Sequence, residues 1–160
     1  MTSTAGPVER VERTGGVVFT IPSQAGYVSL VRMLISTLAY ERRDLDDERV
    51  EDLVLAVSEA ASLAIEAHGG TGDHPLVLRW SEDDERCEVE VVDRLRVLDV
   101  DVNESLADHV SDPGRAALEG NLGLPLVRAL VDEVTVDSDD SGIVVRMSVL
   151  CARLPSLPDD

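Results

Sequence analysis

Residues 55–68 read LAVSEAASLAIEAH. Glu59, Ser62, Leu63 and Glu66 lie three or four residues apart as Glu59–Ser62, Glu59–Leu63, Ser62–Glu66 and Leu63–Glu66. On a helix they place two carboxylates, a hydroxyl and an isobutyl group on neighbouring turns of one side. A helix carboxylate of this kind can serve as a general base or contribute to a metal shell. Two further stretches belong beside it. VVDRLRV puts Asp93 where a strand ends and the chain changes direction, and EGNLGLPL supplies Gly120 and Gly123 just before a helix. Each also has a plain structural reading: Glu59 as a solvated helix acid, Asp93 as a turn former, and the glycines as a bend leading into a helix.

Other chemistries find less support. His68 ends the long helix, where a cation suits the dipole. His74 lies in a loop and His109 in an irregular segment, and their spacing suggests no metal site. Cys87 and Cys151 each sit in a strand-like stretch without metal-ligand spacing, so buried reduced thiols are expected. A disulfide between them needs Cα atoms within about 7 Å, a distance that sequence does not fix. No nucleophile-elbow motif is present.

The elements that must position these residues follow from period and breakers. GVVFTIPS (16–23) alternates and ends at Pro22, which predicts a strand. Ser23 is then the expected cap of a helix over 24–40, with Tyr27, Leu30, Val31, Leu34 and Leu38 as its apolar stripe. The second helix is expected to start at an Asp44 N-cap, with acids crowding its first turn. Its stripe is Leu53, Val57, Ala60, Ala64 and Ala67, and Gly69-Gly70 ends it. PLVLRWS (75–81) and RCEVEVVD (86–93) read as an antiparallel pair with one largely polar face. Residues 94–119 are irregular, with a short helical stretch at VNESLADHV. GLPLVRALVDE (123–133) reads as a helix, and DEVTVDS with GIVVRMSVLCAR closes the chain as a hairpin. The order β-α-α-β-β-loop-α-β-β pairs strands directly. It predicts an α+β fold, a two-layer sandwich whose mixed, mostly antiparallel sheet is covered by helices on one face.

Length and charge bound the function. The 160 residues suffice for one domain, read as 15–153 between a tail at 1–14 and another at 154–160. Hydrophobic residues make up 44% of the chain, with one Phe, one Trp and two Tyr, so the core must be aliphatic. No apolar run reaches the roughly 18 residues of a membrane span, and the start lacks a signal-peptide layout, which points to a cytoplasmic protein without a membrane partner. Net charge is −18, with 32 acids against 14 bases, every base being Arg. Such acidity speaks against direct nucleic-acid binding and suits a basic protein partner.

Taken in order, DLVLAVSEAASLAIEAH, VEVVDR, GNLGLPLVRALVDEV and SGIVVRMSV resemble the anti-sigma-factor serine kinases of the Bergerat-fold ATPase superfamily, which includes gyrase, Hsp90 and histidine kinases. The resemblance covers residues 16–152. It implies the histidine-kinase-like ATPase fold, and in this chain it implies Glu59 as general base. Asp93 would be the acceptor for an adenine amino group, and Gly120 and Gly123 would be part of a phosphate cradle. The sequence departs from the family pattern at five positions. Leu63 stands where the family has an asparagine magnesium ligand, and an isobutyl group offers no oxygen. Leu95 and Val97 replace the two glycines after the strand-end Asp, where side chains fill the space a base needs. Asn121 replaces a glycine of the phosphate cradle. Ile143 replaces a threonine that helps to hold the base.

Three expectations follow. The first is a bacterial stress-response regulator of the anti-sigma type that works by protein binding, without ATP or a metal. By the resemblance its partners are a sigma factor and an antagonist carrying a phosphorylatable serine, and it is a homodimer. The second is a divergent serine kinase that uses Glu59 as base, with ATP and magnesium as cofactors. The third is a scaffold for another small ligand, marked by an open pocket beside Glu59 and Asp93.

Overall fold

Alternation of buried and exposed residues along five segments sets the sheet. The computed structural model describes residues 16–67, 70, 72, 74–93, 123–139 and 142–152. Its strands are β1 (Gly16–Pro22), β2 (Pro75–Glu82), β3 (Arg86–Asp93), β4 (Glu133–Asp139) and β5 (Gly142–Leu150). They lie in the order β1-β2-β3-β5-β4, and all four pairings are antiparallel. Helices α1 (Val28–Tyr40), α2 (Asp47–Ala67) and α3 (Gly123–Leu130) complete the second layer. The α+β sandwich and the order of elements are those expected. The tails, the 94–119 segment where a short helical stretch is expected, His68, His109, Leu95, Val97, Gly120 and Asn121 lie outside the described residues.

The inner face of the sheet carries the core. Leu76, Leu78 and Trp80 from β2 are buried with Cys87, Val89 and Val91 from β3, and Val145, Met147 and Val149 from β5. Against them α2 buries Val50, Leu53, Ala56, Val57, Ala60, Ala61, Leu63, Ala64 and Ile65, a face wider than the expected stripe. The extra width arises because α2 lies between α1 and α3 as well as over the sheet. On α1 the stripe is turned from the one expected. Val28, Val31, Ile35 and Ala39 are buried, while Tyr27 is exposed.

Both expected helix caps are corrected. Ser23 caps nothing: its Oγ and its backbone N–H both donate to the carbonyl of His74, tying the end of β1 to the start of β2. A 3-10 turn at Ala25–Tyr27 then leads into α1. The N-cap of α2 is Asp46, whose Oδ1 accepts from the Arg49 N–H at 2.8 Å. Asp44 instead accepts from Nε and Nη2 of Arg42, at 2.8 and 2.7 Å. That hydrogen-bonded pair holds the Asp44 carboxyl below its ordinary value. At the other end, Gly70 (φ +65°) donates to the Ile65 carbonyl at 3.1 Å and closes the last turn, as glycine permits.

The outer face is less open than its alternation suggests, since Glu88 and Val92 are buried. Arginines from the flanking strands pair over the central one. Arg146 lies 2.8 Å from Glu90, 3.6 Å from Glu88 and 3.4 Å from Asp137, and Arg79 lies 3.3 Å from Glu90. Burial alone raises the Glu90 carboxyl, but Arg146 and then Arg79 overcome it and hold the group low.

Candidate functional site

The C-terminal half of α2, the end of β3, the start of β5 and the start of α3 bring the candidate residues together. Cross-strand register does the first part. Ile21 pairs with Leu76, Leu76 with Asp93, and Asp93 with Ile143, forming one row across the inner face. Asp93 is therefore a carboxylate among aliphatic neighbours on the core side of the sheet, and it is buried. It has an interaction partner, as a buried carboxylate must.

Above this row lies α2. Ala64 and Ala67 line a small cavity with Val91, Asp93, Ile143 and Val145. Its volume is about 10 Å³, space for roughly one water molecule. Glu59 does not line it. Glu59 is half-buried and has no hydrogen bond or ion pair among the described residues. One residue earlier, Ser58 is fully buried; its Oγ donates to the Val54 carbonyl at 2.6 Å and accepts from Arg32 Nε at 3.1 Å.

Leu63 reaches the start of α3. A Cβ built on Gly123 would lie 2.8 Å from Leu63 Cδ1 and 3.2 Å from both Cδ2 and Cγ. Real carbon contacts begin near 3.5 Å, so Leu63 occupies the space that Gly123 leaves open. Leu63 is only 5% exposed, and burying a leucine side chain contributes about 2 kcal/mol. Gly123 thus has a packing reason to be glycine.

The chain matches the model of the histidine kinase-like ATPase domain over residues 21–149. Serine-protein kinase RsbW of Halalkalibacterium halodurans is 32% identical over 147 residues, spanning 90% of this chain and 88% of that protein. The RsbW of Bacillus velezensis is 34% identical over 134 residues, 80% and 81% of the two chains. This chain belongs to the histidine kinase-like ATPase family. Within the family it groups with the RsbW serine-protein kinases. The crystal structure of the RsbU and RsbW domains of Rv1364c from Mycobacterium tuberculosis superposes with a TM-score of 0.62 at 19% identity. That likeness, one of fold, covers 88% of this chain and 34% of the longer one.

Family membership raises the question of a magnesium–nucleotide, and the described residues do not fit one. Magnesium takes oxygen ligands in near-octahedral geometry, and at the family's asparagine position this chain has Leu63, packed against Gly123. Among the described residues, the cavity that Asp93 lines has room for about one water, and Ile143 presents a hydrocarbon where a hydroxyl would serve the base. Among the described residues no cluster of His, Cys, Asp or Glu is placed to hold a metal ion. No described helix is long and apolar enough to cross a membrane.

Sequence reasoning missed one feature of the helical layer. A groove of about 200 Å³ runs between α1 and α2, lined by Arg32, Ser36, Tyr40, Val50, Glu51, Val54 and Leu55. Tyr40 and Leu55 are exposed, as is Met33 on the same helix as Tyr40. The only signal in the sequence was a surplus of apolar residues on α1 beyond one stripe.

Proposed function

We propose that this chain is a regulator of the anti-sigma type that acts by binding a protein partner, and that ATP binding and phosphoryl transfer have been lost. The contact between Leu63 and Gly123 carries the second half. It spends the magnesium-ligand position on apolar packing, so restoring a ligand there means opening the core. The water-sized cavity at Asp93 and the hydrocarbon of Ile143 support the same reading from the opposite strands. The first half is supported by the RsbW relatives and by a net charge of −18, which suits a basic surface such as the DNA-facing regions of a sigma factor. The α1–α2 groove with its exposed Tyr40 and Leu55 adds an apolar element to that surface. Without ATP chemistry, release comes from competition with an antagonist protein, and the working unit is a homodimer.

A second reading, an active ATP- and magnesium-dependent serine kinase, is favoured by the relatives' name and by the presence of Glu59, Asp93 and Gly123. Calorimetry at millimolar ATP and magnesium separates the two. The proposal expects no heat and no thermal shift for the native chain, and recovered binding for Leu63→Asn combined with Leu95→Gly and Val97→Gly. Magnesium-dependent binding by the native chain refutes the loss of ATP chemistry. A pull-down that recovers neither a sigma factor nor an antagonist refutes the anti-sigma role.

A further inference from the structure

The chain contains two cysteines, and the fold brings them together. Their Sγ atoms are 3.7 Å apart although 64 positions separate them in sequence. Both are free thiols; Cys87 is fully buried, and Cys151 is half-buried. Cys87 stands near the start of β3, opposite Val149 of β5, and Cys151 lies two residues beyond Val149, just past the end of β5. This is the far end of β3 from Asp93, outside the candidate site.

Each side of the pair is held by backbone. The Cys151 N–H donates to the Glu85 carbonyl at 2.7 Å, and the next N–H, of Ala152, donates to the Asp44 carbonyl at 3.0 Å. Arg42 completes the corner: its Nη2 lies 3.1 Å from Cys151 Sγ, its Nη1 donates to the Asp83 carbonyl at 2.8 Å, and it pairs with Asp44. Moving from contact to a bond needs the sulfurs to approach by about 1.7 Å. Cys151 follows the last residue of β5, so its side chain sits at a strand end rather than inside the ladder.

We propose that Cys87 and Cys151 form an oxidative modification site, a dithiol that a peroxide-class oxidant closes into an intramolecular disulfide. Cys151 is the residue attacked first, because it is the more exposed and its thiolate is favoured by the Arg42 guanidinium. Its sulfur displaces hydroxide from hydrogen peroxide as the O–O bond breaks, giving a sulfenic acid, and the hydroxide takes up a proton to leave as water. Cys87 sulfur then attacks Cys151 Sγ, the S–O bond breaks, and a second water leaves with the Cys87 proton. Two thiols and one peroxide become one disulfide and two waters, with two electrons passing from sulfur to oxygen. Burial pushes both thiols above their ordinary value, with Arg42 acting against it and Glu82 and Asp44 adding to it. The pair therefore reacts slowly at neutral pH and responds to sustained rather than brief oxidation.

The experiment treats the full chain with hydrogen peroxide and follows thiols by alkylation after denaturation. The proposal expects both thiols to disappear together, a monomer lighter by two hydrogens, and one disulfide-linked peptide pair carrying positions 87 and 151. Closing so long a loop is expected to raise Tm by about 10 °C, reversibly with dithiothreitol. Disulfide-linked dimers, sulfinic acid at Cys151 with the Cys87 thiol intact, or two thiols surviving prolonged peroxide each overturn it. Cys151→Ser gives a second reading. Its Tm should not respond to peroxide and its Cys87 thiol should persist; oxidation of Cys87 there at the native rate also overturns the proposal.

Discussion

Replacing Gly123 by alanine tests the contact on which the functional reading rests. The new methyl would meet Leu63 Cδ1 at 2.8 Å, with Cδ2 and Cγ at 3.2 Å. Leu63 is nearly fully buried, so it yields only by disturbing its neighbours. Overpacking of this kind costs about 1–3 kcal/mol. Alanine recovers about 0.5–1 kcal/mol of the backbone entropy that glycine loses in a helix. The net expectation for Gly123→Ala is a loss of about 1–2 kcal/mol, seen as a fall in Tm of about 3–6 °C. Leu63→Ala alone should cost about 2–5 kcal/mol through lost burial and the cavity left behind. With both changes the clash is absent and the new methyl occupies part of that cavity. The double variant should then be more stable than additivity predicts by about 2 kcal/mol. Urea unfolding of the four proteins measures this coupling directly. Additivity within about 0.5 kcal/mol, or a Gly123→Ala variant more stable than the parent, would falsify the claim that Leu63 is locked over Gly123. The magnesium position would then no longer be closed by packing.

Other expectations concern the caps and the charged face. Asp46→Ala removes the side-chain acceptor for the Arg49 N–H and should cost about 1 kcal/mol in urea unfolding. An unchanged midpoint would remove Asp46 from the cap. Asp44 and Glu90 both have folded values below their unfolded ones. Their stabilisation is fully present above the unfolded carboxylate value of about 4 and is lost as pH falls through the folded values. Stability measured from pH 6 downward should fall on that limb, and more shallowly in Arg146→Met, which takes from Glu90 its nearest cation. Arg146→Met should also cost about 1–3 kcal/mol at neutral pH, because Glu88 and Glu90 keep their burial and lose their shared partner. A variant with native stability and a native acid limb would place the origin of the Glu90 shift elsewhere.

Much of the fold was legible because its determinants are local. Alternation in GVVFTIP and PLVLRWS, the crowd of acids at the start of α2 and the glycines at its end each act within a few residues. Caps were less legible, since Asp44, Asp46 and Asp47 all offer carboxylates and only geometry chooses between them. Asp44 is taken by Arg42, and Asp46 is left to cap. The stripe on α1 was turned for a similar reason: VSLVRMLISTLAY has apolar residues on several sides, and packing on α2 selects Val28, Val31, Ile35 and Ala39. Nothing local pairs Asp93 with Ile143, or brings Cys87 to Cys151. Those meetings depend on the register of β3 against β5 across fifty or more positions of chain.

Gly123 shows how far a motif residue can be trusted. Read beside Gly120 it suggested a backbone that comes close to phosphates. In the structure its missing Cβ is needed for another reason, since Leu63 already fills the space. A glycine kept for packing and a glycine kept for a nucleotide look the same in a sequence. They differ only in what lies against the bare Cα. The same holds for Asp93, to which the resemblance assigns a contact with an adenine amino group, yet whose row on the inner face is otherwise Ile21, Leu76 and Ile143. A carboxylate there either meets a polar ligand or spends its hydrogen-bonding capacity within the protein, and Asp93 has a protein partner beside a cavity for one water. Glu59, like Glu66, then has no hydrogen bond or ion pair among the described residues. Glu59→Gln should therefore leave stability unchanged, and partner capture with it. A loss of function in that variant with folding intact would return Glu59 to the role of a base and favour the kinase.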